Sequence, residues 1–553
     1  MLHSHLPYVL HHGRWPHGSD WLCEAAFDTY LPLLEALRAL DRANVAAPVT
    51  LGVTPVLAAM LDHADFAAEV ETWVDQRFAD CHTSLGAMRG SADAPLIPLV
   101  RGWQRRLRRL HALFHDIGGD ILGQLRALQD RERLELTSSA ATHAILPLLG
   151  RDESIRLQLL VGRSEHRRLF GRDAEGCWLP ECAYRPAGPW NPLRDSRGAG
   201  WRRGIEAHVA YTGYRYVFVD AHMAKAGEPL GVYGTMFGGE PEHAVLPRPT
   251  RLTGEGSPYR AWRVGTDESS ASLAAFVRDP VASARVWNRH AGYPGHDDYL
   301  EFHKQRWPGG LRLWRVTSRT GDLGSKLPYD PLAARRTARR HAREFVGTLA
   351  RTREPSGALP TVIAAPYTEL FGHWWFEGTD FLRDVYATFP LHRGLRAVTA
   401  SEHIDSHGAP ATIDLLEGSW GRDGDFGMWL SDRSSWTWPI VWELEHRFWD
   451  LAPDALGRRE LGPVLDQAAR ELLLLQASDW AFIMTTGEVE DYAAQRFHGH
   501  ARDCRELIGI LDRAARGEGV ERGAAIAEQM QRRDDVFRTV RPAIAETLDL
   551  PFV

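Results

Sequence analysis

Apolar residues recur every three to four positions over two long parts of the chain. The first part covers residues 24–134 and contains amphipathic stretches such as AAFDTYLPLLEALRAL. The second begins near residue 437. It contains the stretch GPVLDQAARELLLLQASDW, which starts at Gly462. This spacing places apolar side chains on one face of an α-helix, so both parts are predicted to be mainly helical. Residues 190–265 are instead rich in Gly, Pro, Arg and aromatic residues, which predicts a loop-rich excursion.

Five short apolar or β-prone runs each end in a cluster of polar residues. In chain order they are LHSHLPY, LELTSSAATH, CWLPECAY, YVFVDAHM and VIAAPYTELFGHWW. Helical patterns lie between several of these runs. Strands that alternate with helices and carry polar residues at their carboxyl ends are the layout of a β/α barrel, whose active site forms at that rim. The pattern therefore predicts an α/β fold and favours an enzyme over a binding module.

Composition narrows the class of protein further. A chain of 553 residues is too long for one ordinary core, so two or three domains are expected. A net charge of −7 argues against a nucleic-acid partner. No segment reaches the roughly 20 apolar residues that span a bilayer, so no membrane partner is expected. The start, MLHSHLPYVL, has no basic region typical of a secretion signal, and five irregularly spaced cysteines fit a reducing cytoplasm.

The polar residues that end these runs are the candidate functional groups. His3 and His5 share one face of a strand, but without an evident third and fourth ligand we favour substrate hydrogen bonding over a metal site. Glu181 follows a proline at the end of an apolar run, and its polar neighbours favour catalysis over a structural ion pair. Asp220 and His222 fit a supporting pair and a catalytic pair equally well. The 20 tryptophans fit both sugar stacking and core packing, and composition does not decide between these roles.

The motifs together resemble the conserved regions of glycoside hydrolase family 57. HSHLPY, LELTSSAATHAILPLL, WLPECAY, YVFVDAHM, ELFGHWWFEG and EGSWG occur in the order of that family. RDPVASARVWNRHAGYPG and QASDWAFIM resemble its branching enzymes, which transfer α-1,4 glucan chains to 6-hydroxyl groups. The resemblance implies an incomplete (β/α)7 barrel over residues 1–400, with a small insertion near 190–265. It also implies a helical domain over residues 401–553 that closes the glucan cleft.

The resemblance also implies roles for particular residues in a retaining double displacement that needs no metal and no cofactor. Glu181 matches the nucleophile of the family. The remaining matches are substrate-binding: Arg278, Gly295, Trp420 and Asp479 bind the glucan chain, His5 and His143 line the donor subsite, and Trp374 and Trp480 supply aromatic walls that exclude water. The expected partner is therefore an α-glucan such as amylose or a glycogen-like polysaccharide.

Two departures from the family pattern bear on activity. The family has a general acid/base aspartate between the residues that match Tyr367 and Thr368, and this chain has none there. Glu369 is the nearest carboxylate, and we expect it to be a poor substitute because extended chain turns it to another face. The first motif also lacks most of its preceding apolar strand, which predicts an exposed sheet edge.

Three functions remain open from the sequence. The first is a branching enzyme, nearly inactive as written because of the missing aspartate. The second is a catalytically impaired glucan-binding homologue. The third is another activity of the same family, an α-amylase or a 4-α-glucanotransferase.

Overall fold

An eight-stranded sheet forms the centre of the molecule. A computed structural model describes residues 1–192, 200–229, 256–265, 273–288, 290–354 and 360–549. The strands are β1 (Leu2–Ser4), β2 (Val49–Val53), β3 (Leu134–Ser139), β4 (Gly176–Trp178), β5 (Gly188–Trp190), β6 (Gly200–Arg202), β7 (Tyr216–Val219), β8 (Ala261–Val264), β9 (Leu273–Val277) and β10 (Ala411–Thr412). The sheet order is β1-β2-β3-β4-β7-β9-β8-β10, and β5 and β6 form a separate two-stranded ribbon.

The strands that carry the site all run parallel to one another. Leu51 of β2 lies opposite both Leu2 of β1 and Leu136 of β3, and β7 pairs with β4 and β9 in the same sense. Two other strands run the opposite way: β8 is antiparallel to β9, and β10 is parallel to β8. Strands β1, β2, β4, β7 and β9 are buried along their whole length, as expected for a parallel sheet covered on both faces.

Helices surround this sheet and make up the end of the chain. They are α1 (Ser19–Ala25), α2 (Leu31–Arg42), α3 (Pro55–Leu61), α4 (Phe66–Met88), α5 (Ile97–Asp116), α6 (Ile121–Asp130), α7 (Asp152–Phe170), α8 (Ile205–Tyr211), α9 (Pro280–Trp287), α10 (Pro331–Arg351), α11 (Gly378–Thr388), α12 (Ala400–His407), α13 (Thr437–Leu456), α14 (Gly462–Leu475), α15 (Ser478–Thr486), α16 (Glu490–Ala515), α17 (Gly523–Gln531) and α18 (Val540–Asp549). Asp279 and Asp330 cap α9 and α10 by accepting hydrogen bonds from backbone N–H groups of the first turn.

Residues 363–367 span the gap between β9 and β1, the last and the first of the parallel strands. They do so through isolated bridges and not through a continuous ladder of hydrogen bonds. Ile363 bridges to Arg278 just after β9, and Tyr367 bridges to His3 of β1. The backbone N–H of His3 donates to the carbonyl of Pro366 at 3.2 Å. The barrel is therefore incomplete, as predicted. The exposed edge that we expected at β1 is not found, because residues 364–367 cover it.

The C-terminal helices share one hydrophobic core with the sheet. Helix α14 packs on α16, and α18 packs on α7 of the sheet region. The same core cluster contains Val217 of β7 and Leu472 of α14. The α/β fold with a C-terminal helical region is confirmed. The domain boundary at residue 400 stays a prediction, since β10 still joins the sheet and the long helices begin at α13.

The structure adds detail to two local expectations. Residues 24–134 are mainly helical, but β2 lies among them, since a five-residue buried strand is too short to show a period of its own. The loop-rich stretch near 190–265 contains β6, α8, β7 and β8, while residues 193–199 and 230–255 lie outside the described part. Within the described residues, no helix combines the length and the apolar character that a bilayer crossing requires.

Candidate active site

Glu181 lies at the carboxyl end of β4 in an unfavourable backbone conformation. Its φ and ψ are 57° and 25°, and the φ of the next residue, Cys182, is 51°. Residues with a Cβ atom pay about 1–2 kcal/mol for the left-handed region. Such strain persists only where surrounding contacts enforce it, and it is concentrated at functional sites. The backbone therefore fixes the direction in which the Glu181 carboxyl points.

Two donors from distant parts of the chain hold the Glu181 carboxyl. The hydroxyl of Tyr367 donates to Oε1 at 2.6 Å, and the indole N–H of Trp420 donates to Oε2. The backbone N–H of Trp420 also donates to the carbonyl oxygen of Glu181 at 3.0 Å. Burial raises the pKa of Glu181, and these hydrogen bonds oppose that rise because they favour the ionised form. The result is a rigid, buried carboxyl with a defined orientation.

Three histidine rings form one wall beside this carboxyl. His143 follows β3 with a φ of 60°, and its Nδ1 lies 3.6 Å from Glu181 Oε1. Its ring stacks on His5 at 4.1 Å between centroids, and its Nε2 lies 3.1 Å from Nε2 of His3. Burial lowers the pKa of both His3 and His143 well below the ordinary value, so both are neutral near pH 7. Among the described residues, the clusters with metal-ligand spacing do not include His3 or His5.

The start of α15 holds two of these histidines. Nε2 of His5 lies 3.0 Å from a carboxylate oxygen of Asp479, and Nδ1 of His143 lies 3.0 Å from the hydroxyl of Ser478. The other ring nitrogen of His5 lies 3.1 Å from the hydroxyl of Thr54, which follows β2. The site is therefore built jointly by the ends of parallel strands and by a helix of the C-terminal region.

Glu369 lies in a separate buried niche. Its Oε1 accepts from the Tyr30 hydroxyl at 2.6 Å and from the backbone N–H of His5 at 3.2 Å. Tyr30 ends a π-helical turn, Ala26–Tyr30, that joins α1 to α2. Burial raises the pKa of Glu369 to about 7. Tyr30 and the His5 backbone therefore hold the Glu369 carboxyl, which supports the expectation that it is a poor substitute for the missing aspartate.

Glu369→Gln is expected to remove one source of pH-dependent stability. The pKa of Glu369 is raised from 4.5 to about 7, so its stabilising contribution is full below pH 4.5 and is lost as the pH rises through about 7. Between pH 5 and pH 8, the free energy of unfolding should fall by about 2–3 kcal/mol more in the wild type than in the variant. Urea unfolding at both pH values measures this. The exposed Glu518→Gln is the control, and equal pH dependence in wild type and Glu369→Gln would contradict the expectation.

Arg278 and Trp420 pack against each other beneath the nucleophile candidate. The Arg278 guanidinium lies 4.7 Å from the centroid of the Trp420 ring and pairs with Asp220 at 3.0 Å. This cation holds the pKa of Asp220 low, at about 2, against the effect of burial. Trp420 is 2% exposed, so its contact with Glu181 is better supported than open sugar stacking. Asp220 and His222 lie 3.5 Å apart, and the Asp220–Arg278 pair indicates a supporting role.

Among the described residues, the Glu181 carboxyl has no hydrogen bond with the other predicted substrate-binding residues, Trp374, Gly295 and Trp480. Trp374 is 41% exposed and meets Trp287 edge to face at 5.9 Å, so one ring face is open to a ligand. Gly295 is buried in a turn, and its carbonyl accepts from Arg319 at 3.0 Å. Trp480 is 1% exposed, its indole N–H donates to Leu474, and Arg496 covers its ring at 4.7 Å. This placement supports a packing role for Trp480 rather than a substrate wall.

Sequence reasoning missed three residues that shape the site. Tyr367 was noted only as the residue before the missing aspartate, yet its hydroxyl contacts Glu181. Tyr30 and Ser478 lay within helical patterns and gave no signal of their own. Their partners, Glu369 and His143, are 339 and 335 positions away in the chain.

Comparison with known families identifies the class to which this architecture belongs. Residues 1–416 match the model of glycosyl hydrolase family 57. Residues 442–544 match the model of the C-terminal region of 1,4-alpha-glucan branching enzymes. The chain belongs to glycosyl hydrolase family 57.

Particular relatives are branching enzymes by name. The chain is 38% identical to 1,4-alpha-glucan branching enzyme TK1436 of Thermococcus kodakarensis, over 98% of this chain and 77% of that protein. It is 31% identical to the probable 1,4-alpha-glucan branching enzyme Rv3031 of Mycobacterium tuberculosis, over 97% and 95% of the two chains.

Solved structures of branching enzymes and of an α-amylase have a similar fold. The crystal structure of TK1436 superposes with a TM-score of 0.88 at 37% identity, covering 98% of this chain and 94% of that one. The branching enzyme of Pyrococcus horikoshii gives 0.87 at 35% identity, with coverage of 100% and 97%. The α-amylase AmyC of Thermotoga maritima gives 0.76 at 26% identity, with coverage of 98% for both chains.

Proposed function

We propose that this protein is a 1,4-alpha-glucan branching enzyme, which cleaves an α-1,4 glucan and transfers the chain to a 6-hydroxyl group. The names of its relatives and its match to the branching-enzyme C-terminal model support this activity. The structural observation that carries the proposal is the Glu181 carboxyl, fixed by strained backbone and by Tyr367 and Trp420. An α-glucan such as amylose or a glycogen-like polysaccharide is the proposed substrate.

The proposed reaction is a double displacement with retention. The Glu181 carboxylate attacks the anomeric carbon, a glycosyl ester forms, and the glycosidic bond breaks as its oxygen takes up a proton. The 6-hydroxyl of a second glucan then attacks the same carbon, loses its proton and releases Glu181. Tyr367 and Trp420 stabilise the carboxylate each time it is ionised, since hydrogen bonds to charged groups contribute about 1.5–3 kcal/mol.

The proton that this reaction needs has no evident source. Two carboxyl groups of this region, those of Glu369 and Asp479, are already engaged by other residues. Glu369 is bound by Tyr30, and Asp479 is paired with His5. This observation favours a second candidate function, a catalytically impaired homologue that binds glucan. We therefore expect this protein to turn over any α-glucan slowly.

Substrate contacts are proposed for one exposed tryptophan and for residues around Glu181. Trp374 offers an exposed ring, and Asp479 and His5 lie at the edge between the sheet and α15. A cleft of about 650 Å³ lies between residues 12–18 and 487–492. Tyr492 lines this cleft, and its hydroxyl accepts from Arg496, whose guanidinium covers the ring of Trp480, the neighbour of Asp479. His143, Arg278 and Gly295 complete the proposed binding set, although all three act from buried positions.

We also propose a cytoplasmic location. All five cysteines are buried and free, although Cys177 and Cys182 are only a few residues apart. Free thiols are typical of a reducing compartment. No nucleic-acid partner is proposed, because the net charge is −7.

Incubation with amylose tests the proposed activity. A branching enzyme lowers iodine staining without a matching rise in reducing ends, and debranching of the product then releases short chains. An α-amylase would instead produce reducing ends, and a 4-α-glucanotransferase would lengthen linear chains without branches. Binding to amylose without any product would select the impaired homologue.

A further inference from the structure

Three side chains converge on the outer face of the helical pair α4 and α5. Glu71 belongs to α4, and His111 and His115 lie one turn apart on α5. Residues four positions apart share one face of a helix, so both imidazoles point to the same neighbour. The exposed fractions of the Glu71, His111 and His115 side chains are 45%, 24% and 59%. This cluster has no part in the site around Glu181.

The ligand atoms of these side chains form a compact triangle. Nε2 of His111 lies 3.1 Å from Oε1 of Glu71, and Nε2 of His115 lies 3.3 Å from the same oxygen. The two Nε2 atoms are 2.9 Å apart. Zinc bonds of about 2.0–2.1 Å in a tetrahedron put ligand atoms about 3.3 Å apart. Shifts of a few tenths of an ångström would bring all three edges to that length.

We propose that Glu71, His111 and His115 bind a divalent transition-metal ion, with zinc as the preferred ion. Two imidazoles and one carboxylate suit zinc, whereas calcium and magnesium prefer oxygen ligands throughout. Because the three side chains are partly exposed, water can supply a fourth ligand. The ion would join α4 to α5 and stabilise the helical pair.

The residues around Glu71, His111 and His115 leave more negative charge for a cation than those around another cluster, which contains two histidines and an aspartate. Among the described residues, no Arg or Lys lies within ion-pair distance of Glu71. By contrast, His12, His500 and Asp534 also converge, but Arg533 donates to Asp534 and Arg496 lies 3.2 Å from His500. These guanidinium groups already neutralise that carboxylate and would repel an ion.

Zinc titration of the full chain by calorimetry tests the proposal. The wild type should bind one equivalent of zinc. His111→Ala and His115→Ala should each raise the dissociation constant for that zinc ion at least tenfold. His82→Ala removes another exposed histidine of α4 and should bind as the wild type does. Equimolar zinc should raise the melting temperature of the wild type and of His82→Ala, and leave that of the two cluster variants unchanged.

Three results would overturn the proposal. One is wild-type binding at millimolar zinc only. Another is an affinity in both cluster variants equal to that of the wild type. The third is a loss of binding in His82→Ala as large as in the cluster variants. Circular dichroism of each variant shows whether it is folded, and the two independent histidine variants guard against a local defect in either one.

Discussion

Insertion of an aspartate between Tyr367 and Thr368 is expected to raise the branching rate about a hundred- to ten-thousandfold, the usual contribution of general acid–base catalysis. The structure indicates where the new side chain would lie. Thr368 is held by the Ser4 hydroxyl at 2.8 Å, and Glu369 is held by the backbone of His5. An inserted residue would directly follow Tyr367, whose hydroxyl contacts Glu181, so we expect its carboxyl to lie beside Glu181.

Insertion of asparagine at the same place is the matched control. It lengthens the segment equally but supplies no proton, so its rate should stay near that of the unmodified chain. Rates come from chain-length analysis of debranched amylose products. If the unmodified chain already branches amylose as fast as the aspartate insertion, another group supplies the proton and the proposed deficiency is absent.

Glu181→Gln is expected to lower the branching rate about a thousandfold or more. The substitution removes the only nucleophile that the proposed covalent mechanism provides, while the amide can still accept from Tyr367 or Trp420. The test is best made in the chain that carries the inserted aspartate, because its higher rate leaves room to measure the loss.

Two further measurements separate loss of chemistry from loss of structure. Amylose binding and the melting temperature should change little in Glu181→Gln. Glu369→Gln in the same background is the matched control, since its carboxyl lies in the niche beside Tyr30 and should not contribute to the rate. More than a tenth of the parental rate in Glu181→Gln would refute its assignment as nucleophile.

The parts of the fold that could be predicted are those with a local signal. The polar clusters after β1, β3, β4 and β7 marked the carboxyl ends of parallel strands. Strand β9 was not predicted, because a short buried run fits a strand and a helix equally well. The segment 363–367 was expected to be a strand, but it spans its gap through isolated bridges whose partners lie elsewhere in the chain.

The candidate site was only partly predictable for the same reason. Glu181 stood at the end of a recognisable run, and its motif matched a known family. Its contacts with Tyr367 and Trp420 join residues 186 and 239 positions apart. No local pattern encodes such pairs. Trp480 is the opposite case: its motif predicted a place in the site, but its ring is packed in the core. The roles of the individual residues stay predictions until the variants are measured.

Buried polar contacts between the strand ends and the start of α15 have an evolutionary consequence. His5 and His143 each meet a residue of α15, and Gln158 of α7 donates to Gln476 at 2.9 Å. A recombination event that joined this barrel to the helical region of a distant relative would leave several of these groups without partners. We therefore expect the two regions that match separate family models to be inherited as one unit, with divergence in either one constrained by the other.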